Sequence, residues 1–281
     1  RRIGTMDEHI RSISEALTDE LSPDTEFDLM SSLAQPLPVI VIAEMLGIPP
    51  SERERFKEWS TIVATATELV PDPEELLRRR DATEEMVEFL GSIVDKRAES
   101  PEDDLISAIV SDEDPDGDKL TRDEVISFAI LLLVAGNETT TNLIGNSMLA
   151  LLNYRDSLNA LVADKSLIPA AMEETLRYDS PVQGLVRVVK QDVELLGQSL
   201  PAGDVVMCML GAANRDPARY TEPEIFDIQR EETRHLSFGH GIHFCLGAPL
   251  ARLEASIAYD SLLTRFSGFS PVKGGLERGG T

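Results

Sequence analysis

Cysteine is almost missing from this 281-residue chain, which holds only Cys208 and Cys245. Two residues make no disulfide framework, so a reducing, cytoplasmic setting is expected. Basic residues are scarce too: 26 Lys and Arg stand against 50 Asp and Glu, a formal charge of −24. That deficit argues against nucleic-acid partners and against anionic membrane surfaces. The uncharged run Val125 to Asn137 falls short of the ~20 residues that span a bilayer, so no membrane anchor is expected. Hydrophobic residues make up 42% of the chain, enough for a sizeable core in one large domain or two small ones.

What is present is mainly helical pattern. Residues 1–20 carry Ile10, Ile13 and Leu17 on one face, and Arg1-Arg2 running straight into that pattern reads as a fragment start. Pro36 to Gly47 reads as a short apolar helix, stopped by Gly47 and Pro49-Pro50. Helices are also expected around Phe56, Trp59 and Ile62, over 74–98, over Leu105 to Val110 and over Leu167 to Tyr178. Trp59 and the stretch to Leu69 suit core packing or a ligand pocket. Ser111 to Asp118 is an acidic turn without the bidentate Glu of a calcium loop. Gly184 to Val189, Val193 to Leu196 and Val205 to Leu210 are the strand-like runs, with Cys208 expected in the core. Residues 214–230 read as irregular coil.

Thr121 and Glu124 form a capping-box pattern that opens a helix running to about Asn153. In its middle the apolar pattern breaks at Ala135-Gly136-Asn137-Glu138-Thr139-Thr140-Thr141. A glycine, a carboxylate and three β-branched hydroxyl residues are poor choices for a buried helix, and local rule-breaking marks functional sites. Threonine hydroxyls can also bond back to the preceding turn. A polar helix surface leaving the core explains the same residues.

The densest stretch is Phe238-Gly239-His240-Gly241-Ile242-His243-Phe244-Cys245-Leu246-Gly247. Its glycines allow φ > 0 or close approach to a flat object. Leu246, Leu250, Leu253 and Ile257 then follow at helical spacing with Pro249 in the first turn, so Cys245 lies at a helix start, which suits a thiolate. Three readings are open: a buried core cysteine, a zinc site with His235, His240 and His243, and a heme-thiolate site.

The run FGHGIHFCLG followed by APLARLE resembles the heme-ligand loop of the cytochrome P-450 family. AGNETT at 135–140, ExxR at 174–177, NRDP at 214–217 and FDIQR at 226–230 resemble that family's other motifs, in the order seen in its soluble bacterial members. The resemblance spans essentially the whole chain. It implies a mainly α fold with small β-sheets (α+β), here as one partial domain over 1–281 that lacks the N-terminal part and the last strands. It implies heme b (iron protoporphyrin IX) on the sulfur of Cys245, with Phe238 shielding that sulfur and His243 and Arg187 at the propionates. Gly239, Gly247, Ala251, Ala135 and Gly136 would make room for heme and dioxygen. Thr139 would hydrogen-bond the bound oxygen and Glu138 would relay protons. Glu174, Arg177 and Arg230 would form a buried ion network under the loop.

The implied activity is monooxygenation of a hydrophobic small molecule by O2, usually C–H hydroxylation. Electrons would come from a ferredoxin, reduced by an NAD(P)H-dependent ferredoxin reductase. Arg230, Arg234 and Arg252 are candidates for docking it. Val182 to Val186, Ile130 to Ala135 and Trp59 to Leu69 would line the substrate pocket, with Leu132, Leu133, Val182 and Leu185 giving it apolar character. The alternative is a truncated heme-binding or non-catalytic fragment of such an enzyme.

Overall fold

Apolar residues at helical spacing dictate most of the architecture. A computed structural model describes residues 6–23, 25–64, 72–111 and 119–274. Two compact units emerge, Arg1–Thr141 with Gly274–Thr281, and Asn142–Lys273. The acidic stretch 112–118 and the stretch 65–69 lie outside the described residues.

In the first unit, α1 (Asp7–Asp19) packs beside α2 (Pro36–Met45), and α3 (Arg53–Ala64) lies against α4 (Pro73–Glu99). α5 (Leu105–Ser111) packs on α4, and α6 (Arg122–Asn153) contributes its first half. Ile42, Leu46, Phe56, Met86, Leu90, Ile106, Ala129 and Leu133 meet in one core. Trp59 is part of it, its ring 5.3 Å from that of Phe89. Leu133 is fully buried there, so it belongs to the core rather than to a pocket lining. Its position on the inward stripe of α6 decides this.

The entry to α6 is capped reciprocally. Thr121 N–H donates to Glu124 Oε2 (2.8 Å), and Glu124 N–H donates to Thr121 Oγ1 (3.3 Å). Both groups are orphan donors at a helix start, which is why this residue pair recurs there. Further along, the polar cluster finds partners. Thr139 Oγ1 donates back to Ala135 O (2.7 Å), Asn137 Nδ2 donates to Ser60 Oγ (2.7 Å), and Thr141 Oγ1 donates to Ala34 O (2.9 Å).

In the second unit, the remainder of α6 is followed by α7 (Arg155–Ala163), α8 (Ile168–Tyr178) and the closing helix α10 (Ala248–Arg265). A short turn of helix, α9 (Leu210–Ala213), follows the strands. α10 packs on α8, and Tyr259 donates from its hydroxyl to Ile144 O of α6 (2.9 Å).

Among the described residues, four short strands form two antiparallel pairs. β1 (Gly184–Val188) pairs with β4 (Val205–Met209), matching Val186 with Met207. β2 (Val193–Leu195) pairs with β3 (Gln198–Leu200) across a two-residue turn, where Leu196 and Gly197 both have positive φ. The polar Gln198-Ser199 gives no strand signal, so β3 was not expected. Cys208 is exposed, against the expectation of a core residue. A two-stranded ribbon leaves both faces of β4 open within this unit, so an apolar run need not be buried.

α10 also buries a carboxyl. Glu254 is only 2% exposed, and burial pushes its pKa up to about 8. An unfolded glutamate titrates near ~4.3. The folded chain therefore keeps a proton that the unfolded chain loses as pH rises, so this group erodes stability between about pH 4 and about pH 8. Urea unfolding across that window should show Glu254→Gln gaining stability over the parent as pH rises. Parallel pH profiles for the two proteins would contradict it.

Candidate functional site

The site is built outward from a buried ion network on α8. Glu174 and Arg177 lie one helical turn apart and form a bidentate pair, Nε to Oε2 and Nη2 to Oε1, both 2.8 Å. Arg230 adds its Nε to Glu174 Oε1 at 3.3 Å, and Asp227 N–H adds another donor at 2.9 Å. Arg177 spends its remaining N–H groups on the carbonyls of Asn214 (3.1 Å), Pro223 (2.9 Å) and Ile225 (3.0 Å). Arg230 does the same to Thr221, Glu222 and Ile225. The coil of residues 214–230 makes few ladder bonds of its own, so the arginines supply the donors its carbonyls need. Arg215 stacks 4.2 Å above the Tyr178 ring and donates to Tyr178 O.

Next comes the cysteine loop. Cys245 N–H donates to Phe238 O (2.9 Å), closing the loop on itself. Gly239 and Gly241 have φ of 71° and 76°, a region that costs other residues about 1–2 kcal/mol. Gly247 caps α10, and a Cβ built there would lie 3.8 Å from Cys245 Sγ. Ala248 N–H donates to Cys245 O (3.3 Å), so the sulfur-bearing residue leads into the helix start.

The loop is clamped from both ends by Glu173. This carboxylate accepts from Arg252 Nε (2.6 Å) and Nη2 (2.9 Å) and from His235 Nε2 (3.1 Å). Burial opposes its charge, but these donors hold its pKa down to about 2. His235 Nδ1 accepts from Ser237 N–H (3.3 Å), which puts the ring proton on Nε2. Arg252 lies 4.5 Å over the Phe238 ring. Neither Glu173 nor this clamp was expected. Its partners are far apart in sequence, and the adjacent Glu174 carried the recognised motif.

Of the arginines considered for docking, Arg230 has a side chain only 6% exposed and is held inside. Arg252 is engaged by Glu173, so neither is an unpaired surface charge. Arg187 lies exposed on β1, and His243 ends the 3-10 turn Gly241–His243. Phe238, Gly239, Cys245, Gly247 and Ala251 fall within one continuous loop-and-helix segment. Ala135, Gly136, Glu138 and Thr139 belong to the first unit. A Cβ at Gly136 would meet nothing within 4 Å, and burial raises the pKa of Glu138.

These features suit a flat apolar ligand on a lone sulfur. Around half-buried Cys245, Ile242 is 97% and Leu246 72% exposed, large apolar surfaces that call for a cover. Zinc would need further ligands, and among the described residues no three His, Cys, Asp or Glu side chains gather to hold an ion. A glycine-rich loop that brings one cysteine to a helix start, in a mainly α fold, fits heme-thiolate ligation better than a zinc site.

Residues 28–275 match the Cytochrome P450 family, and the chain belongs to it. It is similar to the cytochrome P450 monooxygenase PikC of Streptomyces venezuelae, 44% identical over 94% of this chain and 63% of the relative. Similarity to the putative cytochrome P450 YjiB of Bacillus subtilis is also 44%, over 92% of this chain and 65% of the relative. The chain thus spans less than two thirds of these curated relatives. The structure of CYP109E1 from Bacillus megaterium, in complex with corticosterone, superposes with a TM-score of 0.89 at 39% identity, covering 96% of this chain and 72% of that one. Members of this family bind heme b.

Removing the network's anion should be costly. Glu174→Gln leaves two buried guanidinium groups short of their counter-charge, and urea unfolding should read a loss of about 3–5 kcal/mol. A loss below about 1 kcal/mol, the range of an exposed pair, would contradict the role given to it.

Proposed function

We propose that this chain carries the heme-binding and oxygen-activating part of a monooxygenase, placing one atom of O2 into a hydrophobic small molecule. The observation that carries this is the closed, glycine-turned loop that presents Cys245 ahead of α10. When bound there, heme supplies the iron chemistry that activates dioxygen, and a thiolate ligand favours O–O cleavage.

The chain's own groups have the following parts. Cys245 holds the iron, and Phe238, itself fixed under Arg252, screens the sulfur from water. His243 and Arg187 offer cations to the propionates. Gly239, Gly247 and Ala251 would leave room for heme on the loop and helix, and Ala135 and Gly136 would do so on α6, where a Cβ at Gly136 meets nothing within 4 Å. Thr139 donates its hydroxyl proton to Ala135 O, which turns the oxygen's free lone pairs outward as an acceptor. Glu138, its pKa raised by burial, stays protonated to higher pH than a surface carboxylate and so suits passing a proton onward. Glu174, Arg177 and Arg230 support the loop from beneath.

Leu132, Val182 and Leu185 are half-buried and apolar, in keeping with a hydrophobic substrate. The relative solved with corticosterone makes a steroid one reasonable member of that class. Hydroxylation, a ferredoxin with its NAD(P)H-dependent reductase, and a cytoplasmic setting complete the proposal, with the 281 residues as one partial domain. Among the described residues no helix is long and apolar enough to cross a membrane. The second reading is a heme-binding or non-catalytic chain of the same family; the 281 residues span less than two thirds of these curated relatives.

The ferrous–CO spectrum of the heme-loaded chain separates these readings from loss of the thiolate. A strongly red-shifted Soret band is expected, and Cys245→Ser should abolish it. Retention of that band in the serine variant would sink the ligand assignment. Thr139→Ala should keep heme and send more electrons to hydrogen peroxide per NAD(P)H consumed. An unchanged peroxide yield would remove Thr139 from the oxygen site.

A further inference from the structure

Asn214 is fully buried at the end of α9, and every polar group it has is committed. Its backbone carbonyl accepts from Arg177 Nη1 (3.1 Å), which ties it to the ion network. Its side-chain Oδ1 accepts from Leu236 N–H (2.7 Å), and its Nδ2 donates to Ser237 Oγ (2.9 Å). Leu236 and Ser237 are the upstream foot of the cysteine loop. From there the connection continues without a gap. Gly239 N–H returns to Leu236 O (2.8 Å), and Phe238 O receives Cys245 N–H (2.9 Å).

We infer that Asn214 is a positioning residue for the Cys245 sulfur: its backbone carbonyl holds Arg177 of the buried Glu174–Arg177 pair while its side chain holds the loop foot. The inference rests on Cys245 being the heme ligand. Among the described residues, the hydrogen bonds of Glu174, Arg177 and Arg230 end on Asn214 and on residues 221–227 and none reaches Phe238 or Cys245, so an effect on the sulfur needs a coupling such as this one. The amide is also chemically specific. Ser237 Oγ gives its proton to Leu176 O (2.5 Å), so toward Asn214 it can only accept. The residue at 214 must therefore donate on one side and accept on the other, which an ionised carboxylate of the same shape cannot do.

That asymmetry supplies the test. In Asn214→Asp, an ionised carboxylate sets an oxygen against Ser237 Oγ, whereas the protonated acid restores a donor beside an acceptor. Burial holds such an acid neutral to higher pH than usual. Ferrous–CO spectra of the heme-loaded parent and variant should be compared from about pH 8 down to about pH 6, a range a buried carboxyl can reach. The parent should keep the red-shifted band throughout. In the variant an unshifted band should be prominent at the alkaline end and should convert reversibly to the red-shifted one as pH falls. General destabilisation moves the other way, since acid favours loss of a thiolate. Ser237→Ala, which introduces no charge, should show a smaller unshifted fraction with no such pH reversal.

If the variant and Ser237→Ala both match the parent at every pH, or if Asn214→Asp gains unshifted band as pH falls, the inference is overturned. Failure of Asn214→Asp to fold while Ser237→Ala matches the parent overturns it too. A parent without any red-shifted band would instead overturn the heme-thiolate reading itself, so the two failures are distinguishable.

Discussion

Arg177 carries a full positive charge into a place where its side chain is 0% exposed, and the second unit is arranged around that fact. A lone buried guanidinium is too costly to keep, so it must be neutralised and its donors filled. Glu174 supplies the charge from the same helix, three residues away. The coil that follows the strands supplies carbonyls from Asn214, Pro223 and Ile225. The cost of burial thereby becomes a constraint on chain path: residues with no helix or strand to fix them are held where these donors point. Arg230 extends the same device by one more charge and two more carbonyls, Thr221 and Glu222, and shares the Ile225 carbonyl with Arg177.

The cysteine loop sits downstream of this constraint. It has two glycines in left-handed conformations and one closing hydrogen bond, from Cys245 N–H to Phe238 O. Such a loop has little stability of its own, because its apolar side chains are exposed rather than packed. Its geometry is borrowed from its ends. Upstream it is held through Asn214, Ser237 and His235, and downstream through Arg252 to Glu173. A metal-binding sulfur needs fixed supports of this kind, since ligand precision comes from the groups behind the ligand.

Long periodic segments were legible from sequence. The helix opened by Thr121 and Glu124 runs from Arg122 to Asn153, because capping chemistry is local and its partners are three residues apart. The turn before α10 was legible for the same reason: Gly247 and Pro249 state their backbone needs directly. Strand β3 was not, since a three-residue strand of Gln, Ser and Leu is defined by its partner β2 and not by its own pattern. Cys208 misled because an apolar run says nothing about how many strands cover it. Glu254 and Glu173 were silent in sequence, as burial of a carboxyl depends on packing that no local pattern encodes. Asn214 lies inside the NRDP motif, yet the partners of its side chain and carbonyl are 22 to 37 positions away, so its part could be seen only once the coil was folded.

The central claim is that one sulfur, from Cys245, bonds the iron of a heme seated on this loop. X-ray absorption at the iron edge of the heme-loaded chain tests it most directly. The account predicts a single iron–sulfur scattering path that disappears in Cys245→Ser. An iron surrounded by nitrogen and oxygen alone in the unaltered chain would contradict it.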